Sequence, residues 1–221
     1  TQPAGYVDGP NPPVGTADSL GGTRPASGQA GFGTVIAAIP VGGNVSGSNY
    51  NFAEIARPSI SGTVFRDNNN NGVQNAGETG IAGATVQLYR TADNTLVATQ
   101  TTDASGNYSF TGLLPDGYYL AELQPAGYLD GIATPGLVGG SACAGCSTSS
   151  NFNPADEAAT ISRINGLNLA NGDSATAMNF GELVPSTLAG AVYIDFNANG
   201  VRNPGEPGIA AVTLSLSGND D

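Results

Sequence analysis

A twelve-residue segment occurs twice in this chain of 221 residues, 128 positions apart. It reads Asp67-Asn-Asn-Asn-Asn-Gly-Val-Gln-Asn-Ala-Gly-Glu78 and Asp195-Phe-Asn-Ala-Asn-Gly-Val-Arg-Asn-Pro-Gly-Glu206. Oxygen-bearing side chains fall at segment positions 1, 3, 5, 9 and 12, with glycine at position 6. That is the spacing D-x-[DN]-x-[DN]-G-x5-E of an EF-hand calcium loop. Its recurrence constrains the fold further, because self-similarity at a long fixed period marks an array of one module.

The spacing has a chemical reason. Calcium takes about six to eight oxygens at roughly 2.3–2.6 Å. In the first loop Asp67, Asn69 and Asn71 would give side-chain oxygens, Val73 its carbonyl, and Asn75 an oxygen directly or through water. Glu78 would close the shell with both carboxylate oxygens, and Gly72 allows the sharp turn. Asp195, Asn197, Asn199, Val201, Asn203 and Glu206 repeat the scheme. The competing explanation is that Asn-Gly segments are good turns in their own right. Two carboxylates per loop predict modest affinity, in the extracellular range of about 10⁻⁴–10⁻³ M. No helical pattern flanks either loop; Ser61-Gly-Thr-Val-Phe65 and Gly190-Ala-Val-Tyr-Ile194 read as strands.

Composition narrows the function classes. Gly is 33 of 221 residues and there is no histidine or tryptophan, which favours short strands joined by many turns. Without histidine, Ser-His-Asp hydrolysis and histidine-type zinc sites are excluded on this chain. All six basic residues are arginine, at 24, 57, 66, 90, 163 and 202. A net charge of −12 with scattered arginines argues against nucleic acid or an anionic membrane as partner. No apolar run is long enough to insert into a bilayer.

Cys143 and Cys146 form a C-x-x-C. A redox motif should open a helix in a βαβ unit, and no such pattern surrounds this pair. A zinc ribbon would need a second pair. A local disulfide pinning a loop is the expectation, ahead of a free dithiol.

The repeat extends beyond the loops. Gly80-Ile-Ala-Gly-Ala-Thr-Val-Gln-Leu88 matches Gly208-Ile-Ala-Ala-Val-Thr-Leu-Ser-Leu216, Gln2-Pro-Ala-Gly-Tyr-Val-Asp-Gly9 matches Gln124-Pro-Ala-Gly-Tyr-Leu-Asp-Gly131, and Tyr50-Asn-Phe-Ala-Glu54 matches Met178-Asn-Phe-Gly-Glu182. Residues 1–56 thus read as the back of one module, 57–184 as a complete module and 185–221 as the front of the next. The chain is expected to be a window in a longer array; the rival is pairing of the two partial modules between chains. Short alternating strands are expected at Ser59–Phe65, Thr85–Tyr89, Thr95–Thr102, Asn107–Thr111, Tyr118–Gln124, Thr160–Ile164 and Thr176–Glu182. Such a pattern predicts an all-β, Greek-key sandwich. Ala133 to Asp156 reads as an irregular surface loop held by the cysteines.

Thr102-Asp-Ala-Ser-Gly-Asn-Tyr-Ser-Phe110, Gly112-Leu-Leu-Pro-Asp-Gly-Tyr-Tyr-Leu-Ala-Glu122 and Pro125-Ala-Gly-Tyr128 resemble the B-type repeats of Gram-positive surface adhesins. These are the collagen-adhesin B, prealbumin-like domains. The calcium-type loop ahead of Gly-Ile-Ala-Gly resembles the calcium-binding branch of the serine-aspartate repeat adhesins. Many members of that family carry a lysine–asparagine isopeptide bond promoted by glutamate in a Tyr-x-Leu-x-Glu box. Tyr118-Tyr-Leu-Ala-Glu122 matches the box, but the chain has no lysine, so Glu122 is expected to be structural and paired with an arginine. Asp103 is expected to hydrogen-bond the amides of its own turn, a second calcium site being the less favoured role. Phe65, Tyr108, Phe110, Tyr119 and Phe180 are expected in the core.

The resulting expectation is a calcium-stabilised structural repeat of a long extracellular or cell-surface protein, forming a stiff stalk, fibre or matrix filament. Its partners would be neighbouring repeats and, in a filament, like chains. Two rivals are a ligand-binding adhesin module and an accessory module of a secreted enzyme. Catalysis by this segment is not expected, since no acid, base and nucleophile converge.

Overall fold

The computed structural model describes residues 4–8, 36, 39, 47–48, 50, 52–151 and 160–217. Most of the partial module at 1–56, and residues 152–156 of the expected loop, lie outside the described residues. The chain divides into two compact units, Thr1–Pro185 and Ser186–Asp221.

The first unit is a two-sheet sandwich without helix among the described residues. β3 (Ser59–Arg66), β6 (Asn107–Phe110), β8 (Leu129–Thr134), β9 (Leu137–Val138), β10 (Ser141–Ala142), β13 (Ser174–Thr176) and β14 (Asn179–Leu183) build one sheet. Its order is β10-β9-β13-β3-β14-β8, with β6 also paired to β3. The other sheet has the order β11-β12-β7-β4-β5, from β4 (Thr85–Arg90), β5 (Leu96–Thr101), β7 (Asp116–Leu123), β11 (Ser147–Ser150) and β12 (Ile161–Leu169). β1 (Tyr6–Asp8) and β2 (Glu54–Ala56) form a separate ladder, pairing Val7 with Ile55 and Asp8 with Glu54. It repeats the β8–β14 ladder, where Leu129 pairs with Leu183 and Asp130 with Glu182.

Period-two alternation explains the layers, since successive side chains in a strand point to opposite faces. Val86 and Leu88 on β4 meet Leu120 on β7 and Ile164 and Leu167 on β12. From the facing sheet come Ile60, Val64 and Phe180, and from the link between β13 and β14 Met178, all fully buried. The expected core aromatics Phe65, Tyr108, Phe110 and Phe180 are buried. Tyr119 differs: it stacks on Tyr89 with ring centroids 5.0 Å apart, and the Arg163 guanidinium lies 5.7 Å from its ring. Its odd register relative to Tyr118 and Leu120 turns it outward.

The first and last strands of the module pair in parallel: β14 aligns Phe180 with Val64, Gly181 with Phe65 and Glu182 with Arg66. Gly62 makes this approach possible, because a Cβ there would stand 1.8 Å from the Met178 carbonyl oxygen.

Three differences from the expected strands stand out. β8 forms where no strand is expected, β12 runs on to Leu169 through a bulge after Ile164, and the Ala133–Asp156 stretch contains β9, β10 and β11. Cys143 and Cys146 are joined by a disulfide, their Cα atoms 5.3 Å apart, between β10 and β11.

Candidate metal site

The loop from Asp67 to Glu78 leaves the end of β3 and returns as a bridge between Phe65 and Gly80. Arg66 N–H donates to the Thr79 carbonyl (2.9 Å) and Ile81 N–H to the Val64 carbonyl (2.8 Å), closing the loop at its neck. Inside, Asp67 accepts from the backbone N–H groups of Asn71 (3.1 Å) and Gly72 (2.6 Å). Glu78 reaches back with both oxygens, accepting from Asn68 N–H (2.8 Å) and Asn75 N–H (2.7 Å). Asn69 and Asn71 both donate their amides to Asn75 Oδ1, at 3.1 and 2.9 Å, and Val73 N–H donates to Asn71 Oδ1. All six residues expected as ligands therefore belong to one hydrogen-bonded ring.

The second loop repeats this bond for bond. Asp195 accepts from Asn199 N–H (3.2 Å) and Gly200 N–H (2.8 Å), and Glu206 accepts from Phe196 N–H (3.2 Å) and Asn203 N–H (2.7 Å). Asn197 and Asn199 converge on Asn203 Oδ1, each at 2.9 Å, and Val201 N–H donates to Asn199 Oδ1. Left-handed backbone recurs at positions 4, 6 and 11: Asn70, Gly72 and Gly77 in one loop, Ala198, Gly200 and Gly205 in the other. The amides that bind Asp195, Gly200 foremost, hold its carboxyl below the usual carboxylate range.

The donor set fits a hard cation. It consists of carboxylates, amides and a carbonyl, without nitrogen or sulfur donors. Asn69 and Asn71 offer nitrogens to Asn75 in this ring; turned over, Asn69 presents its oxygen at the same place, whereas Asn71 would have to release the Val73 N–H that its Oδ1 accepts. Each loop holds only two carboxylates, and among the described residues no three His, Cys, Asp or Glu side chains converge on a metal position.

Asp103 accepts from Ser105 N–H and Asn107 N–H, each at 2.8 Å. These bonds, led by that from Asn107, lower its pKa and account for its place in the turn.

Glu122 is not paired with an arginine. It is fully buried on β7, and the charges acting on it are those of Glu182 on β14 and Asp130 on β8. Burial first, then the Glu182 and Asp130 charges, pushes its pKa up to about 9. Burial likewise raises Glu182 to about 8, against the pull of a 2.6 Å hydrogen bond from Gln124 Nε2. The sequence carried a signal for the burial of each, though not for their pairing: Glu122 shares the inward register of Tyr118 and Leu120, and Glu182 that of Phe180.

Comparison with known proteins finds similar stretches in several of them. A stretch of Colossin-A from Dictyostelium discoideum is 33% identical over 165 residues, covering 72% of this chain and 1% of that protein. Serine-aspartate repeat-containing protein D of Staphylococcus aureus (strain Newman) is 33% identical over 153 residues, 69% of this chain and 10% of that protein. Serine-aspartate repeat-containing protein F of Staphylococcus epidermidis is 30% identical over 154 residues, 69% of this chain and 8% of that protein. The chain thus spans a tenth or less of the length of these relatives. Among solved structures, GBS52, the minor pilin of Streptococcus agalactiae, aligns with a TM-score of 0.33 at 16% identity, over 62% of this chain and 49% of that one. The model of the SdrD B-like domain matches residues 58–175, which hold the first loop and the sandwich strands up to β13. With the two-sheet architecture and the loop at the end of its first strand, that match makes the chain a member of the SdrD B-like domain family.

Proposed function

We propose that the chain is a run of calcium-stabilised structural repeats in a long extracellular surface protein, with the mechanical role of a stalk, fibre or filament. The observation that carries this reading is the second loop, which repeats the hydrogen bonds and the backbone of the first. An aspartate at position 1 is what a turn alone would use, as Asp103 does; the added glutamate at position 12 and amides at 3, 5 and 9 in both loops fit a cation. Calcium in the Asp67–Glu78 ring would tie the end of β3 to the strands beside it and stabilise the module by mass action.

The junction ahead of the module supports a stiff connection. Gly172 N–H donates to the Ala56 carbonyl (3.1 Å), Arg57 N–H to the Gly5 carbonyl (3.0 Å), and the Arg57 guanidinium to the Gly112 carbonyl (2.5 Å). The segment joining β2 to β3 is thereby bonded on both sides. The outward Tyr89–Tyr119–Arg163 ladder does not favour a ligand-binding reading, since its rings are stacked on each other and under the guanidinium.

The test is thermal unfolding in excess calcium and in chelator. Saturation at about 100 times the dissociation constant should add about 2.7 kcal/mol, a rise of roughly 5–10 °C in a unit of this size. Glu78→Ala should abolish most of the rise. An unchanged melting temperature would leave the loops as turns and remove calcium from the reading.

A further inference from the structure

The interior of the sandwich holds acceptor oxygens without donors. Glu122 and Glu182 are 0% and 1% exposed. Both Glu122 oxygens, Glu182 Oε1 and the Gln124 amide oxygen are buried without a hydrogen-bond partner. Gln124 and Glu182 are joined through Gln124 Nε2. Strand register completes a four-cornered cell: Ser162 stands beside Glu122 on β12, Asp130 beside Glu182 on β8, and the Ser162 hydroxyl donates to Asp130 between the two sheets. Asp130 also accepts from Ser150, so its oxygens are already engaged and it forms the wall of the cell.

Two carboxylates at such a place must be neutralised, because an unpaired buried charge costs several kcal/mol even after relaxation. One shared proton leaves a negative charge, and a proton on each carboxyl cancels the charges but supplies only two donors among four unpartnered oxygens. A divalent cation cancels both charges and gives all four free oxygens a partner. We propose that Glu122, Glu182 and Gln124 form an interior site for a hard divalent cation, calcium or magnesium, separate from the two surface loops. The all-oxygen donor set matches that class. Outside the cell lies a groove of about 280 Å³ lined by Gly131, Ile132, Thr148, Ser150 and Ser162. Ser150 and Ser162 are the hydroxyls that hold Asp130, so the groove ends at the outer wall of the cell.

The test is calcium and magnesium titration by calorimetry of the full chain carrying Glu78→Gln and Glu206→Gln, which disables both loops. One class of site should remain, and Glu122→Gln should remove it. Glu182→Gln, which keeps the contact to Gln124, should do the same and guards against a folding defect in the first variant. No binding in the loop-disabled chain would overturn the proposal, as would binding untouched by either substitution. A carboxylic-acid C=O infrared band that persists at neutral pH in saturating calcium and disappears in Glu122→Gln would place a proton there, and also overturn it. Because loop and interior variants are independent, a failure of the interior site leaves the loop reading standing, and the reverse.

Discussion

The two calcium-type loops have the same internal bonds in very different surroundings. Around the first, Thr134 Oγ1 donates to the Gly72 carbonyl (2.8 Å), Asp67 N–H to the Glu182 carbonyl (2.9 Å), and Asp67 itself is fully buried. Around the second, the apolar residues that would face a core lie open. Leu188, Leu214 and Leu216 are 82%, 74% and 82% exposed, whereas their counterparts Ile60, Val86 and Leu88 are fully buried. The same ring of hydrogen bonds is present in both loops. What the sandwich adds is burial of the anchor and a mechanical connection to β8 and β14.

The largest effect should separate the two regions by packing. Leu88→Ala should destabilise the first unit by about 2–5 kcal/mol in urea unfolding, while Leu216→Ala should stay within about 0.5 kcal/mol. Comparable losses at both positions would show that the second face is covered in solution. A smaller contrast concerns glycine at loop position 6. Gly72 and Gly200 share left-handed backbone, but a Cβ at Gly72 would stand 2.5 Å from Thr134 Oγ1, and at Gly200 it meets nothing. Gly72→Ala should therefore cost about 1–3 kcal/mol more than Gly200→Ala.

For calcium the contrast is functional. Glu78→Ala should lower the calcium-dependent melting temperature of the sandwich, an effect of about 2–3 kcal/mol at saturation. Glu206→Ala should remove one ion from the binding stoichiometry and leave that transition in place. Equal effects on the melt would show that the second loop is also coupled to the sandwich.

A last contrast is in pH dependence. Glu122 and Glu182 have raised folded-state pKa values, so their contribution to stability is complete below about pH 4.5 and is lost as pH rises through about 8 and 9. In chelator, the melting temperature should fall across that window, and Glu122→Gln should flatten the slope. A slope of opposite sign would show that the pair is charged and compensated in the folded state.

Much of this was legible in the sequence. β3, β4, β6 and β7 follow from alternation between turn clusters, and the loops from their spacing. β8 was not legible because Leu129-Asp-Gly-Ile-Ala-Thr134 has weak alternation and forms only against β14. The short strands around the disulfide are polar and small, and their pairing depends on β12 and β13. The Glu122–Glu182 pair requires knowing which strands face across the sandwich, which alternation within one strand cannot supply. Tyr119 was assigned inward by residue type, although its register already pointed out.

The parallel alignment of β14 with β3 bears on how such a module would respond to a pull on its two ends. The chain enters the sandwich at the start of β3 and leaves at the end of β14, at opposite ends of one shared ladder. Tension along the chain therefore pulls these neighbours past each other lengthwise, loading their cross-strand bonds together. Unzipping them one at a time would need the opposite pairing. Resistance to extension is thus set by the first strand and the last, whichever residues decorate the surface between them.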